Sequence, residues 1–344
     1  MLAVPGNELS KDNTNSWSER TGGEFNHHND FFTGRQGQEF ASLQESYAYT
    51  YALGGMQIIN HPGQYWSIDN TYSETQKNGP GWHAANFMTY PSLVGLEVYN
   101  QGDRRANDRV LWDQILQRTM PHRNVYGYSG DDTHNNEQLF RNYNMMLMPD
   151  LTTEDLKQAM RVGASYFCYE PKGSGEAKAP RITNIKVDEQ SQTITIEANG
   201  LVHWIYATDK TSTAASSARS TVVGIGNTFC YKGYQGTYVR AYITNVYGET
   251  CTQPISFVDQ HSVGVENLPS PLTVMAYPNP TIDVLNVFMN ESNQEEEIHI
   301  YDVNGQEMLV AAVQGALTVL SVQNLPSGMY LLQSGNRATR FIKE

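Results

Sequence analysis

The 344-residue sequence predicts an α/β unit of alternating helices and strands, followed by all-β modules. Three observations lead there. Up to residue 177, short apolar runs alternate with helix-length amphipathic stretches, the pattern of βα units and a largely parallel sheet or barrel. After Pro180 the apolar period falls to two, as half-buried strands require. From Leu272 onward, strand-length runs are separated by Asn304-Gly305 and Ser327-Gly328, which supply hairpin-turn chemistry. The expected organisation is an α/β unit at 1–177, a β-sandwich at 178–258, a polar linker at 259–271 and a second, smaller β-sandwich at 272–344.

In the first unit, Gln36–Leu53 reads as a helix stopped by Gly54-Gly55. Met56–Asn60 reads as a buried strand closed by His61-Pro62-Gly63, and Leu93–Tyr99 as a second. A helix is predicted from Asp103 to Arg118, with Val110, Leu111, Ile115 and Leu116 as its buried stripe. Asn124–Ser129 is a third strand, ending in Gly130-Asp131-Asp132-Thr133-His134. Thr152–Val162 is a helix with a threonine cap at its start and Gly163 at its end. The alternating segments Ile182–Val187, Thr193–Ala198, Val202–Ala207, Thr237–Ile243 and Pro254–Val258 make the first sandwich. Thr273–Ala276, Val284–Met289, Glu297–Tyr301, Leu317–Val322 and Met329–Gln333 make the second.

Composition excludes several function classes. Charged residues are only 17% and aromatics 11%, so this is a folding sequence rather than a disordered one. The net charge of −13 offers no basic stripe for a nucleic-acid backbone. No apolar run reaches the roughly 20 residues of a transmembrane helix. Met1–Glu8 lacks the basic and apolar regions of a signal peptide. Cys168, Cys230 and Cys251 are too far apart for a zinc knuckle or a CxxC motif, leaving three thiols or a Cys230–Cys251 pair.

Histidines and acids recur at strand ends: Glu8, the pair His27-His28, His61, Asp132 and His134. In βα-barrels such ends form the active-site face. Taken singly, such a residue is more often a turn, capping or surface side chain than a ligand. Together, imidazole and carboxylate suit Zn²⁺, Mn²⁺ or Fe²⁺, which can generate a hydroxide nucleophile and clamp a phosphoryl group. Arg104, Arg105 and Arg141 are candidates for holding a substrate phosphate, though each also reads as a solvated helix residue. His83 and His122 belong to no motif.

Several of these stretches resemble the PHP (polymerase and histidinol phosphatase) family. Ile58-Ile59-Asn60-His61-Pro62 is similar to its apolar strand ending in a His-Pro ligand. Gly130-Asp131-Asp132-Thr133-His134 is similar to its late Asp-x-His pair, Pro5–Ser10 to its Gly-x-Glu strand end, and Leu93–Asn100 to its Gly-Leu-Glu-Val strand. The resemblance implies a distorted (β/α)7 barrel and a centre of two or three divalent transition metals (Zn, Mn or Fe). Its surviving ligands would be Glu8, His27 or His28, His61, Asp132 and His134. It also implies hydrolysis of a phosphorylated small molecule or phosphodiester, and reads Glu97 as a structural acid. The family's His-x-His pair has no counterpart before Glu8, so an N-terminally incomplete barrel is expected. The alternative is a degenerate, non-catalytic PHP scaffold on a surface protein that binds glycan or another surface ligand.

The C-terminal stretch resembles the type IX secretion sorting domain, type A. The resemblance rests on Ala276-Tyr277-Pro278-Asn279-Pro280, Ile298–Glu307, Leu325–Leu332 and the ending Arg340-Phe341-Ile342-Lys343-Glu344. It implies that residues 272–344 engage the type IX secretion machinery. The protein is then expected at the cell surface or secreted, with a signal peptide upstream.

Overall fold

The computed structural model describes residues 2–10, 27–34, 42–66, 77–173, 175–208, 220–257, 274–277, 281–289, 296–315, 317–335 and 337–344. These form four α-helices and twenty-two strands, so the molecule is mainly β.

The N-terminal part contains β1 (Gly6–Ser10), β2 (His27–Phe31), α1 (Leu43–Ala52), β3 (Met56–Asn60), α2 (Pro80–Thr89), β4 (Leu93–Asn100), α3 (Asn107–Thr119) and β5 (Tyr126–Gly130). They build one five-stranded sheet in the order β1-β2-β3-β4-β5. Among the described residues the expected incomplete, distorted (β/α)7 PHP barrel is not formed. A barrel of that type needs parallel strands joined by helical crossovers and closed on themselves. Here β1, β2 and β3 pair antiparallel, and only β3-β4 and β4-β5 are parallel. The sheet is open, with β1 and β5 at its ends among the described residues.

The two crossovers explain helices α2 and α3. Pro80 opens α2 at its first turn, where a missing N–H costs nothing. In α3 the expected stripe of Val110, Leu111, Ile115 and Leu116 is buried, but so are Trp112 and Asp113. This helix has apolar partners on two sides, packing on β4 and on β10 (Leu201–Thr208) of the next sheet. Trp112 Nε1 donates to Val125 O at 2.9 Å, and Asp113 binds Arg240 across the second interface.

After β5 the chain forms β6 (Asn142–Met146), α4 (Thr153–Val162) and β7 (Ser165–Tyr169). The predicted cap of α4 is present, with Thr152 Oγ1 accepting the Asp155 N–H at 3.1 Å. Gly163 ends the helix at φ 68°, a left-handed geometry that favours glycine. The following strands are β8 (Ile182–Asp188), β9 (Thr193–Ala198), β10, β11 (Ser220–Ile225), β12 (Thr228–Cys230), β13 (Tyr238–Thr244), β14 (Glu249–Thr252) and β15 (Ile255–Ser256). β6 and β7 join them in a sheet ordered β11-β10-β13-β14-β7-β6, with β15 on β13. That sheet crosses the expected boundary at 177/178. It packs on the three-stranded sheet β12-β9-β8 around Trp204, Phe229, Ile194, Ile196 and Ile243. The cysteines are free thiols, Cys168 and Cys251 buried and Cys230 exposed.

The expected linker at 259–271 lies outside the described residues. The C-terminal strands are β16 (Val274–Tyr277), β17 (Val284–Met289), β18 (Glu297–Tyr301), β19 (Glu307–Ala312), β20 (Leu317–Ser321), β21 (Gly328–Ser334) and β22 (Arg337–Lys343). They form the sheets β16-β17-β20 and β19-β18-β21-β22. Leu285, Val287 and Leu320 from the first sheet meet Ile298, Ile300, Leu332 and Phe341 from the second in a separate core.

Candidate functional site

Adjacent residues on a strand face opposite sides of the sheet, so His27 and His28 cannot both reach one site. On β2, His28 turns to the helical side, where Nε2 lies 2.9 Å from Ser46 Oγ and the ring packs edge-on against Tyr47. His27 turns to the other face. Its backbone pairs with Ser10 of β1 and Asn60 of β3, which leaves Glu8 two residues along the neighbouring strand on the same face. A diagonal cross-strand pair is within reach of long side chains. His27 Nδ1 and Glu8 Oε1 are 3.1 Å apart.

His61 is delivered by the end of β3. It adopts φ 30°, ψ 52°, and Pro62 follows at once in a single 3₁₀ turn. A histidine in this left-handed region costs of order 1–3 kcal/mol and persists only when its surroundings impose it. The same feature recurs after the next two strands of the parallel part, β4 and β5. Gln101 follows β4 at φ 47° and Asp132 follows β5 at φ 44°. The carboxyl ends of parallel strands are where open α/β sheets bind ligands.

The His61 turn is held from two sides by buried carboxyls. Its N–H donates to Glu97 Oε2 at 2.9 Å, and Asn100 Nδ2 donates to the same oxygen at 2.9 Å. Burial pushes the Glu97 carboxyl up to about 8 against these two donors. On the other side, Gly63 N–H donates to Asp108 Oδ1 at 2.6 Å. Burial holds the Asp108 carboxyl well above the usual carboxylate range. A Cβ at Gly130 would meet Glu97 Oε1, so a larger residue there would displace this carboxyl.

The structure thus brings Glu8, His27 and His61 together, each offering a ligand atom within 4.8 Å of the others. The His27 and His61 rings meet edge-to-face at 5.0 Å. Asp132 stands beside them, its Oδ2 4.0 Å from His61 Nε2. His134 lies further out, with Nδ1 2.8 Å from the Asp132 carbonyl oxygen and a largely exposed ring. The hydrogen bond to His27, with Asn60 Nδ2 adding another at 3.2 Å, lowers the Glu8 carboxyl to about 2. Burial lowers His61 to about 4, so at neutral pH its imidazole carries a free lone pair. His61 Nδ1 is buried with no hydrogen-bond partner among the described residues.

Two imidazoles, that of His61 neutral, one ionised carboxylate and an orphaned ring nitrogen fit a divalent transition metal. Catalytic zinc sites use three protein ligands of this kind and keep a fourth position open. The site opens into a cavity of about 360 Å³ whose wall also includes Gln64, Gln101, Arg104 and Arg105. Gln101 Nε2 donates to Asp132 Oδ2 at 2.9 Å. Sequence reasoning missed Asn60, Asn100 and Gln101, polar residues at the same strand ends as the motifs. Asn60 stands next to His61, and Asn100 and Gln101 stand three and four residues after Glu97; that position at a strand end was their signal.

No curated protein matches this chain. Among solved structures it is similar to PorZ, described as an essential bacterial surface component of the type-IX secretion system of Porphyromonas gingivalis. The identity is 13% over 52% of this chain and 28% of that one, at a TM-score of 0.17. It is also similar to dimeric latent PorU from Porphyromonas gingivalis, at 15% identity over 49% of this chain and 20% of that one, TM-score 0.18. The chain therefore spans well under two thirds of either protein, and at these scores neither overlay defines its fold. Among the described residues no helix is long and apolar enough to cross a membrane. Residues 275–344 match the family described as secretion system C-terminal sorting domain. The chain thus ends in a sorting domain that directs export by the type IX secretion system, to the cell surface or the medium.

Proposed function

We propose that the protein is an exported, metal-dependent phosphoester hydrolase. The observation that carries this reading is the Glu8–His27–His61 donor set, its ligand atoms within 4.8 Å of one another in the lining of a cavity that two arginines also line. The PHP-like sequence around His61, Asp132 and His134 supports the same reading. A divalent ion held by the three residues supplies Lewis acidity, lowering the pKa of water and offsetting charge on phosphoryl oxygens.

The chain's own groups account for the remaining work. Asp132 is the acceptor for the proton released as water adds to phosphorus. The bond from phosphorus to the leaving oxygen breaks, and that oxygen takes up the proton Asp132 has accepted, leaving as the alcohol. Glu97, Asn100 and Asp108 hold the strand ends in place meanwhile. Arg104 and Arg105 supply positive charge for the phosphoryl oxygens.

Elemental analysis of the purified full chain, followed by assay on a chromogenic phosphoester, tests the reading. The expected result is at least one bound zinc, manganese or iron per chain and hydrolysis that His61→Ala abolishes. Metal-free protein that stays inactive when zinc, manganese or iron(II) is added would overturn it. So would turnover unchanged by His61→Ala.

A further inference from the structure

We infer that Asn142 is a positioning residue of the candidate site, a side-chain amide on β6 that holds the loop after β4 against the loop after β5 and so places Gln101 on Asp132. The inference rests on the hydrolase reading only where it predicts turnover, because Asp132 is the proton acceptor there.

The loop after β5 is closed by Asp131. Its carboxylate accepts the N–H groups of Phe140, Arg141 and Asn142 at 2.6, 3.0 and 2.8 Å. Asp132 and His134 lie on the loop closed in this way, and Asn142 is fixed to it through its backbone. The buried Asn142 side chain reaches the other loop. Its Oδ1 accepts the Gly102 N–H at 2.5 Å, and its Nδ2 donates to the Gly102 carbonyl at 3.0 Å. Nδ2 also donates to Ser129 Oγ at 2.9 Å. One amide thus pairs with both backbone polar groups of a residue, as a neighbouring strand would.

The turn held by this clamp does not hold itself. Gln101 and Gly102 are both left-handed, at φ 47° and 81°. For a residue such as Gln101 that conformation persists only where its surroundings impose it. From this turn Gln101 Nε2 donates to Asp132 Oδ2 at 2.9 Å and to the Asp132 carbonyl at 3.2 Å, and both side chains line the cavity. Without Asn142, two buried backbone groups of Gly102 lose their partner, the turn relaxes and the Gln101 amide leaves Asp132. Because β6 belongs to the sheet of the sandwich, the second layer takes part in shaping the cavity.

Gln253 supplies a matched comparison. It too is buried and pairs with both polar groups of one glycine, the Gly127 N–H and carbonyl, each at 2.8 Å. It also donates to one serine hydroxyl, Ser165 Oγ at 3.0 Å. Its bonds go to β5 and β7 and to neither loop, so truncating it removes the same kinds of bond without freeing the turn.

The test compares Asn142→Ala with Gln253→Ala in the zinc-loaded full chain. Amide hydrogen exchange is followed at Gln101 and Arg104, whose N–H groups bond to Gly130 O and Asn100 O. In Asn142→Ala both amides should exchange about tenfold faster, and kcat on p-nitrophenyl phosphate should fall about 10–100-fold. KM and zinc affinity should stay within about threefold, because the clamp touches none of Glu8, His27 and His61. Gln253→Ala should lose similar stability in urea and leave exchange and kcat within about threefold of the parent. Asn142→Asp keeps the shape of the side chain but sets an oxygen against the Gly102 carbonyl. It should reproduce both effects, and it decides the question if the alanine variant does not fold. Equal exchange or equal loss of kcat in the Asn142 and Gln253 variants would overturn the positioning role and leave the hydrolase intact, as would unchanged turnover in both Asn142 variants. Faster exchange confined to the Asn142 variants, in a chain that hydrolyses no ester, would sink the hydrolase reading and keep the clamp.

Discussion

His61 donates its backbone N–H to Glu97 Oε2 at 2.9 Å, so a buried carboxyl on the adjacent strand holds a candidate metal ligand in a left-handed conformation. Removing the acceptor frees the turn to relax away from φ 30°. Glu97→Ala should therefore weaken zinc binding about 10–100-fold, the usual range for loss of a group that orients a ligand. Glu97→Gln keeps an oxygen acceptor and should stay within about threefold of the parent. Titration against a competing chelator measures both, and equal affinities for parent and Glu97→Ala would refute the positioning role.

A second buried pair ties the N-terminal sheet to the sandwich. Asp113 on α3 and Arg240 on β13 form a two-pronged bond, Nε to Oδ1 at 3.0 Å and Nη2 to Oδ2 at 2.9 Å. The guanidinium lies 4.9 Å from the Trp112 ring centre. Breaking such a pair leaves one uncompensated charge in the interior, at a cost of about 3–5 kcal/mol. Asp113→Asn and Arg240→Met should each lose that much in urea unfolding. The double variant should be more stable than the sum of the two predicts, and strict additivity would show that the charges do not act as a pair.

The strands that could be read from sequence are those whose signal is local. Met56–Asn60, Thr193–Ala198, Val284–Met289 and Glu297–Tyr301 form over those residues, because a buried run or a period of two states its own burial. Sheet closure is not local. Tyr143 and Met145 on β6 read as nothing in particular, yet β6 pairs β7, which pairs β14 some eighty residues later. That antiparallel partner occupies the place where a barrel would need a parallel one. The site shows the same division. His61 and Asp132 were legible from the turns that end their strands, whereas choosing between His27 and His28 requires the register of β2 against β1 and β3. Glu97 was legible as a structural acid, but its bond to the His61 N–H arises only when β3 and β4 lie parallel.

His83 on α2 is fully buried, and burial lowers its pKa to about 3 from an ordinary value near 6.5. The unfolded chain takes up a proton between those values that the folded chain refuses. Stability is thus fully present above pH 6.5 and falls as the pH drops toward 3, by up to about 5 kcal/mol from this residue. His83→Leu removes the titration and should flatten the acid side of the stability profile relative to the parent. Chemical denaturation from pH 7 to pH 3.5 measures the difference, and two parallel profiles would refute it.

Phe288 ties the sorting module to the helical layer. On β17, Leu285, Val287 and Met289 enter the module's own core. Phe288 instead joins the N-terminal core, edge-on to Tyr51 of α1 at 5.3 Å and stacked near Tyr90 at 6.4 Å. Leu317 on β20 packs into the same seam. Aromatic contacts of this geometry contribute about 0.5–1.5 kcal/mol each beyond the area they bury. Phe288→Ala should therefore weaken the seam while leaving the module folded, and the amides of residues 43–52 should exchange with deuterium about tenfold faster. Val287→Ala is the control, because it should destabilise the module's core and speed exchange in residues 297–301 directly. Unchanged exchange across α1 in Phe288→Ala would mean that the module does not rest on this helix in solution.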